Sequence, residues 1–134
     1  MGLIMSYALP DDLKDIENEA AWKDRDNPKT LYEMLSRTVQ RFPNHDAVSY
    51  QIFSGPKDKA ETFSWKELFD KTTQAANMFR ALGVNETDVV AYVLPNSNET
   101  LLSLLGGAVS GIVAPINPLL EVEQIAVILR DTNA

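Results

Sequence analysis

Cysteine is absent from these 134 residues, and histidine occurs once, at position 45. Without thiols there is no disulfide, no thiolate nucleophile and no cysteine zinc site. One imidazole leaves almost nothing for a histidine metal site or a Ser-His-Asp triad. His45 follows Pro43-Asn44, a turn signal, and reads as an ordinary loop residue. Basic residues are in the minority, with 12 Lys and Arg against 19 Asp and Glu, for a net charge of −7. No basic stripe is present, which argues against a nucleic-acid partner. The acidic excess gathers early, at Asp11, Asp12, Asp15, Glu17, Glu19, Asp24 and Asp26. Residues 1–27 therefore read as a solvated acidic extension.

Glycine-rich phosphate loops are missing too. Neither G-x-G-x-x-G nor G-x-x-x-x-G-K-[ST] occurs. Ser54-Gly55-Pro56-Lys57 has a single glycine between two strand-like runs, so it reads as a turn and not as a nucleotide cradle. Other chemistry-bearing residues fare no better. Glu121 and Glu123 are two apart on a helical pattern and diverge, which suits no acid/base pair. Ser97 and Ser110 have no histidine near them in sequence. Lys66 and Lys71 fall on the polar face of an amphipathic pattern. The start, MGLIMS, formally matches a myristoylation signal through Gly2 and Ser6, but so short a pattern is weak. No basic stretch followed by a long apolar core marks a secretory leader, and a cytoplasmic setting is expected. The sequons at Asn85 and Asn98 are then glycosylation sites in form only.

What the chain does have is 45% hydrophobic residues, enough for a core. It also has one long run without charge, Thr100–Leu120. That run has the length of a membrane span. Gly106, Gly107, Gly111, Pro115 and Pro118 break it, and no Lys or Arg stands close by to orient it. It divides better into a buried helix, a strand at 112–114 and a turn. Asn96 is the expected N-cap, with Glu99 closing a capping box. Gly106 and Gly107 each weaken a helix by roughly 1 kcal/mol relative to Ala, which predicts close packing against a neighbouring backbone. Pro115 should end the strand or lie at a sheet edge. Asn117-Pro118 should open the next helix, with Val122, Ile125, Ala126, Ile128 and Leu129 inward.

Upstream, Val89–Leu94 is a continuous apolar run of the kind that parallel sheets bury on both faces. Strand, helix, strand, helix over 89–131 predicts a right-handed βαβ crossover. Thr30-Leu31-Tyr32-Glu33 opens a helix that Pro43 ends. Ala47–Phe53 and Glu61–Phe63 predict a hairpin with a long tip. Ser64-Trp65-Lys66-Glu67 is the strongest helix start, and Gly83 closes that helix as in a Schellman motif. Residues 11–21 suit a short helix, with Trp22 anchoring it on the body. Pro95, Asn96 and Ser97 are the positional candidates for a site, because ligands of open α/β sheets favour the C-terminal ends of strands. A plain capping role competes with that reading.

Two stretches resemble core motifs of the adenylate-forming superfamily, which includes acyl-CoA and aryl-CoA synthetases, peptide-synthetase adenylation domains and beetle luciferases. Thr62-Phe63-Ser64-Trp65-Lys66-Glu67-Leu68 is similar to the first motif. Gly107–Pro118, ending Pro115-Ile116-Asn117-Pro118, is similar to the second. Leu94-Pro95-Asn96-Ser97 matches the segment between them, and Thr30–Val48 the helix that leads in. The resemblance covers residues 28–134.

It implies an α/β fold: part of an N-terminal AMP-binding domain, with a β-hairpin followed by βαβα and helices packed on a mixed sheet. It also implies a parent enzyme that activates a carboxylic acid with ATP and magnesium and transfers the acyl group to coenzyme A. The tetrapeptides look more like those of acyl-CoA synthetases, which sets the expectation in fatty acid metabolism. In family order, the phosphate loop, the adenine and ribose contacts and the catalytic lysine come later. No catalytic, cofactor-binding or metal-binding residue is therefore expected here. The expected partners are the rest of the parent enzyme and its acid, ATP and CoA. The 134 residues alone should be inactive and open to self-association. A self-contained α/β interaction module is the alternative.

Overall fold

The computed structural model describes residues 10–134, Ser54 excepted. Five helices and four strands follow in order: α1 (Pro10–Glu19), α2 (Leu31–Arg41), β1 (Asp46–Tyr50), β2 (Glu61–Ser64), α3 (Trp65–Ala81), β3 (Val89–Val93), α4 (Asn98–Ser110), β4 (Ile112–Ile116) and α5 (Val122–Thr132). The expected hairpin followed by βαβα is present. Its strands form two small sheets, β1–β2 antiparallel and β3–β4 parallel. The myristoylation-like start lies outside the described residues.

The α3 start follows directly from its sequence. Ser64 N–H donates to Glu67 Oε2 at 2.8 Å, and Glu67 N–H donates back to Ser64 Oγ at 3.3 Å. Each partner satisfies an otherwise orphaned donor. At the far end Gly83 turns left-handed at φ +97°, with Val84 N–H on Phe79 O and Gly83 N–H on Arg80 O. That is the expected Schellman closure. In α2, Thr30 Oγ1 accepts from Glu33 N–H, while the Glu33 carboxylate reaches one residue further back, to Lys29 N–H.

Helix α4 is the middle layer, and its two adjacent glycines serve opposite sides. A Cβ on Gly106 would stand 2.6 Å from Ala75 Cβ in α3. A Cβ on Gly107 would stand 3.3–3.4 Å from Val113 and Val90 in the parallel sheet. Ser110 Oγ is buried 3.0 Å from Ala76 O and 2.9 Å from Gly106 O, tying α4 to α3. The small residues thus let three layers approach closely, as the weak helix propensity of the pair suggests. Leu35, Phe63, Leu68, Ala76, Val90 and Ile116 are the buried apolar residues of the body.

Several expectations shift. Trp22 is 76% exposed and anchors nothing. Its segment is held by polar bonds instead: Arg25 Nε to Ala20 O, and Arg37 to Asp26 and Glu33. Strand β1 ends at Tyr50, because Gln51 Nε2 donates to Gly55 O and Asp58 O and turns the chain into the hairpin tip. Ile52 and Phe53 are left exposed.

The N-cap of α4 is Ser97 rather than Asn96. Helix α5 begins at Val122, four residues past Pro118, because Asn117 Oδ1 already accepts from Leu119 N–H in a tight turn. Val122, expected inward, is exposed. β4 runs through Pro115 to Ile116, and in a two-stranded sheet that position lies at an edge. Among the described residues no helix is long and apolar enough to cross a membrane.

Candidate functional site

Strand β3 delivers the chain into Leu94-Pro95-Asn96-Ser97, and this loop turns directly into α4. The three candidates Pro95, Asn96 and Ser97 come together along one wall of a cleft of about 580 Å³. The hairpin supplies the opposite wall with Tyr50, Ile52, Phe53, Lys59 and Glu61. A smaller cleft of about 280 Å³ lies on the other side of the same loop. It is lined by Tyr92, Leu94, Asn96, Thr100 and the Pro115–Pro118 turn.

The side chains in this region are engaged in holding the loop. Ser97 Oγ accepts from Thr100 N–H at 3.2 Å, and Thr100 Oγ1 donates to Pro95 O. Glu99 is held below the usual carboxylate range, first by its own backbone N–H and then by the Ser97 hydroxyl. These bonds satisfy the donors that open α4, which is what a cap does. The competing capping role is thus the one the geometry displays for Ser97.

One contact here has no local sequence signal. Asn98, only 3% exposed, donates from Nδ2 to Glu61 Oε2 at 2.6 Å. The bond spans 37 positions and fastens the start of α4 to β2. Asn98 Oδ1 is buried without a partner.

No nucleophile–base pair assembles. His45 is in the turn after α2, stacked on Phe42 with ring centres 5.3 Å apart. Lys66 pairs with Asp70 one turn along α3, and Lys71 lies over the Phe63 ring at 5.1 Å. Gly55 is in a tight turn, donating to Asp58 Oδ2 and accepting from Asp58 N–H, with no helix start behind it. Glu121 stands at the start of α5, where its N–H donates to Gln124 Oε1, and Glu123 is in the first turn. Among the described residues no group of three or more His, Asp or Glu could hold a metal ion. The architecture is caps, close-packed small residues and turns.

Comparison with known proteins is consistent with that picture. The family described as AMP-binding enzyme matches residues 35–134. Marinolic acid–CoA ligase of Pseudoalteromonas sp. (strain SANK 73390) is 31% identical over 105 residues, covering 78% of this chain and 16% of that protein. Bacitracin synthase 1 of Bacillus licheniformis is 28% identical over 107 residues, 79% of this chain and 2% of that protein. Among solved structures, the Mycobacterium tuberculosis fatty acyl CoA synthetase superposes with a TM-score of 0.67 at 24% identity, over 79% of this chain and 20% of that one. The chain thus spans less than a fifth of the length of these relatives.

Proposed function

Because this chain belongs to the AMP-binding enzyme family, we propose that it is the N-terminal framework of an AMP-forming acyl-CoA synthetase. On this reading residues 28–134 belong to the AMP-binding domain and residues 1–27 are an acidic extension. The parent enzyme joins a carboxylate oxygen of its acid to the α-phosphorus of ATP and releases pyrophosphate. The thiol of CoA then attacks the acyl carbon and releases AMP. ATP, magnesium and CoA are ligands of the parent, and its setting is cytoplasmic.

The observation that carries the proposal is the family match across residues 35–134, on a body whose polar side chains are committed to caps and cross-links. Such a body contributes shape. It holds the β3–α4 loop and the parallel strands in place and supplies no group that reacts. CoA ligases among the relatives support CoA as acceptor, including a crotonobetaine/carnitine–CoA ligase from Proteus mirabilis, 32% identical over 91 residues. Peptide synthetases among the relatives favour a second reading, in which the adenylate is the same and the acceptor is a carrier thiol.

ATP–pyrophosphate exchange separates these claims. The 134-residue chain should give no exchange above a blank with any acid. The full gene product should exchange with a carboxylic acid and then consume CoA. Exchange without CoA consumption favours the carrier reading. Exchange by the 134 residues alone would refute the framework role.

A further inference from the structure

The parallel sheet has two edges, and they are not equivalent. Ile112 N–H donates to Asp88 O at 2.9 Å, and Val89 is opposite Ile112. Parallel ladders alternate, so each residue turns both of its backbone groups to one side. From this register, Val90 and Tyr92 face β4, while Val89, Ala91 and Val93 face away from it. On β4, Ile112, Ala114 and Ile116 face β3, while Val113 and Pro115 face outward. Pro115 has no N–H. The outer edge of β4 therefore offers one donor, on Val113, where the outer edge of β3 offers three.

We infer that the sheet is extended at the β3 edge, through Val89, Ala91 and Val93, by an uncharged extended segment from the rest of the adenylating polypeptide. The inference rests on the proposed function for its occupant. Solved chains that share this fold contain it as about a fifth of their length, 20% in the Mycobacterium tuberculosis synthetase, so one molecule has ample chain to supply the strand. The pattern of the strands agrees. β3 is apolar at every position, as interior strands of parallel sheets are. β4 carries the proline that belongs at an edge. Val93 is already 40% exposed and uncharged, and strand addition there would bury it.

Amide hydrogen exchange tests this on two proteins. In the isolated chain at low concentration, Val89, Ala91, Val93 and Val113 should exchange fast, while Val90 and Tyr92 are protected. The second protein is a chimaera in which the matched segment of this chain replaces its counterpart in the Proteus mirabilis ligase. There Val89, Ala91 and Val93 should slow by at least about tenfold while Val113 stays fast. Protection at Val113 instead, or no protection at either edge, overturns the inference.

If the chimaera does not fold, the isolated chain still decides. Fast exchange at all three β3 amides supports a free edge, and slow exchange in the dilute monomer overturns it. The adenylating residues of the chimaera come from the ligase. Failure of pyrophosphate exchange in the natural gene product would therefore strike the functional reading, whereas the exchange pattern strikes the strand assignment.

Discussion

Gly106 and Gly83 show how one residue type answers two different physical demands. At Gly106 the demand is space. A side-chain carbon would be 2.6 Å from Ala75 Cβ and 3.2 Å from the Ala75 carbonyl carbon and the Ala76 nitrogen, and backbone cannot swing aside. Gly106→Val should lower stability in urea unfolding by roughly 1–3 kcal/mol, the usual cost of overpacking. Gly106→Ala should also destabilise, since the clash outweighs the roughly 1 kcal/mol gained in helix propensity. At Gly83 nothing lies within 4 Å, and the demand is conformation, φ +97°. Gly83→Ala should cost about 1–2 kcal/mol through left-handed strain alone. A neutral result for Gly106→Val would mean that α3 and α4 do not meet there.

The Ser64–Glu67 box makes a pH prediction at the same scale. The Ser64 N–H, then its hydroxyl, hold the Glu67 carboxyl below its ordinary value of 4.5. A carboxyl depressed in the folded state stabilises the fold at pH above the unfolded value and loses that contribution as pH falls through the folded one. The stability gap between the natural chain and Glu67→Ala should therefore be full at neutral pH. It should begin to close only once pH drops to about 4.5 and below. Ser64→Ala should cost about 1 kcal/mol at neutral pH. A gap that stays constant through acid would mean the carboxylate makes no cap.

Among elements, what was legible in the sequence divides by distance along the chain. The α3 cap joins residues three apart, and sequence alone locates it. The α4 cap also joins residues three apart, yet Asn96 and Ser97 are both competent. The choice between them is settled by Asn98, which is drawn inward to Glu61, 37 positions away. No sequence window carries that information. The start of α5 was misplaced for a related reason. Asn117-Pro118 is a sound helix opening, but Asn117 spends its side chain on Leu119 N–H and the chain stays in a turn until Glu121. Trp22 went astray because size alone suggested burial, and nothing apolar folds over it.

The Asn98–Glu61 link predicts a difference between two substitutions. Asn98→Ala removes the hydrogen bond together with an unpartnered buried oxygen, so its net cost should be modest, about 1 kcal/mol. Asn98→Asp puts a second carboxylate against Glu61 in a buried place, and should cost about 3 kcal/mol or more at neutral pH. Lowering the pH should narrow the difference as the introduced carboxyl takes up a proton. Equal stability of the two variants at neutral pH would show that Asn98 and Glu61 are not in contact in solution.

For the whole molecule, the question is how these residues behave alone. Ile52, Phe53, Leu119 and Val122 are all at least 71% exposed, and the β3 edge is open. Unpaired edges and clustered apolar surface favour association. A net charge of −7 opposes it. The two act over different ranges. Strand pairing works at contact, whereas repulsion between charged surfaces is screened beyond about 8 Å at physiological salt. Self-association of the isolated chain should therefore be weak at low ionic strength and grow as salt is added, read by sedimentation velocity at high protein concentration. Ala91→Pro removes the central outward N–H of β3 and should weaken it. Val113→Pro alters only the edge that Pro115 already interrupts, and should leave it nearly unchanged. A monomer that persists at high concentration in high salt would rule out the open edge as a contact surface. Equal effects of the two prolines would assign the association to the exposed apolar loops instead.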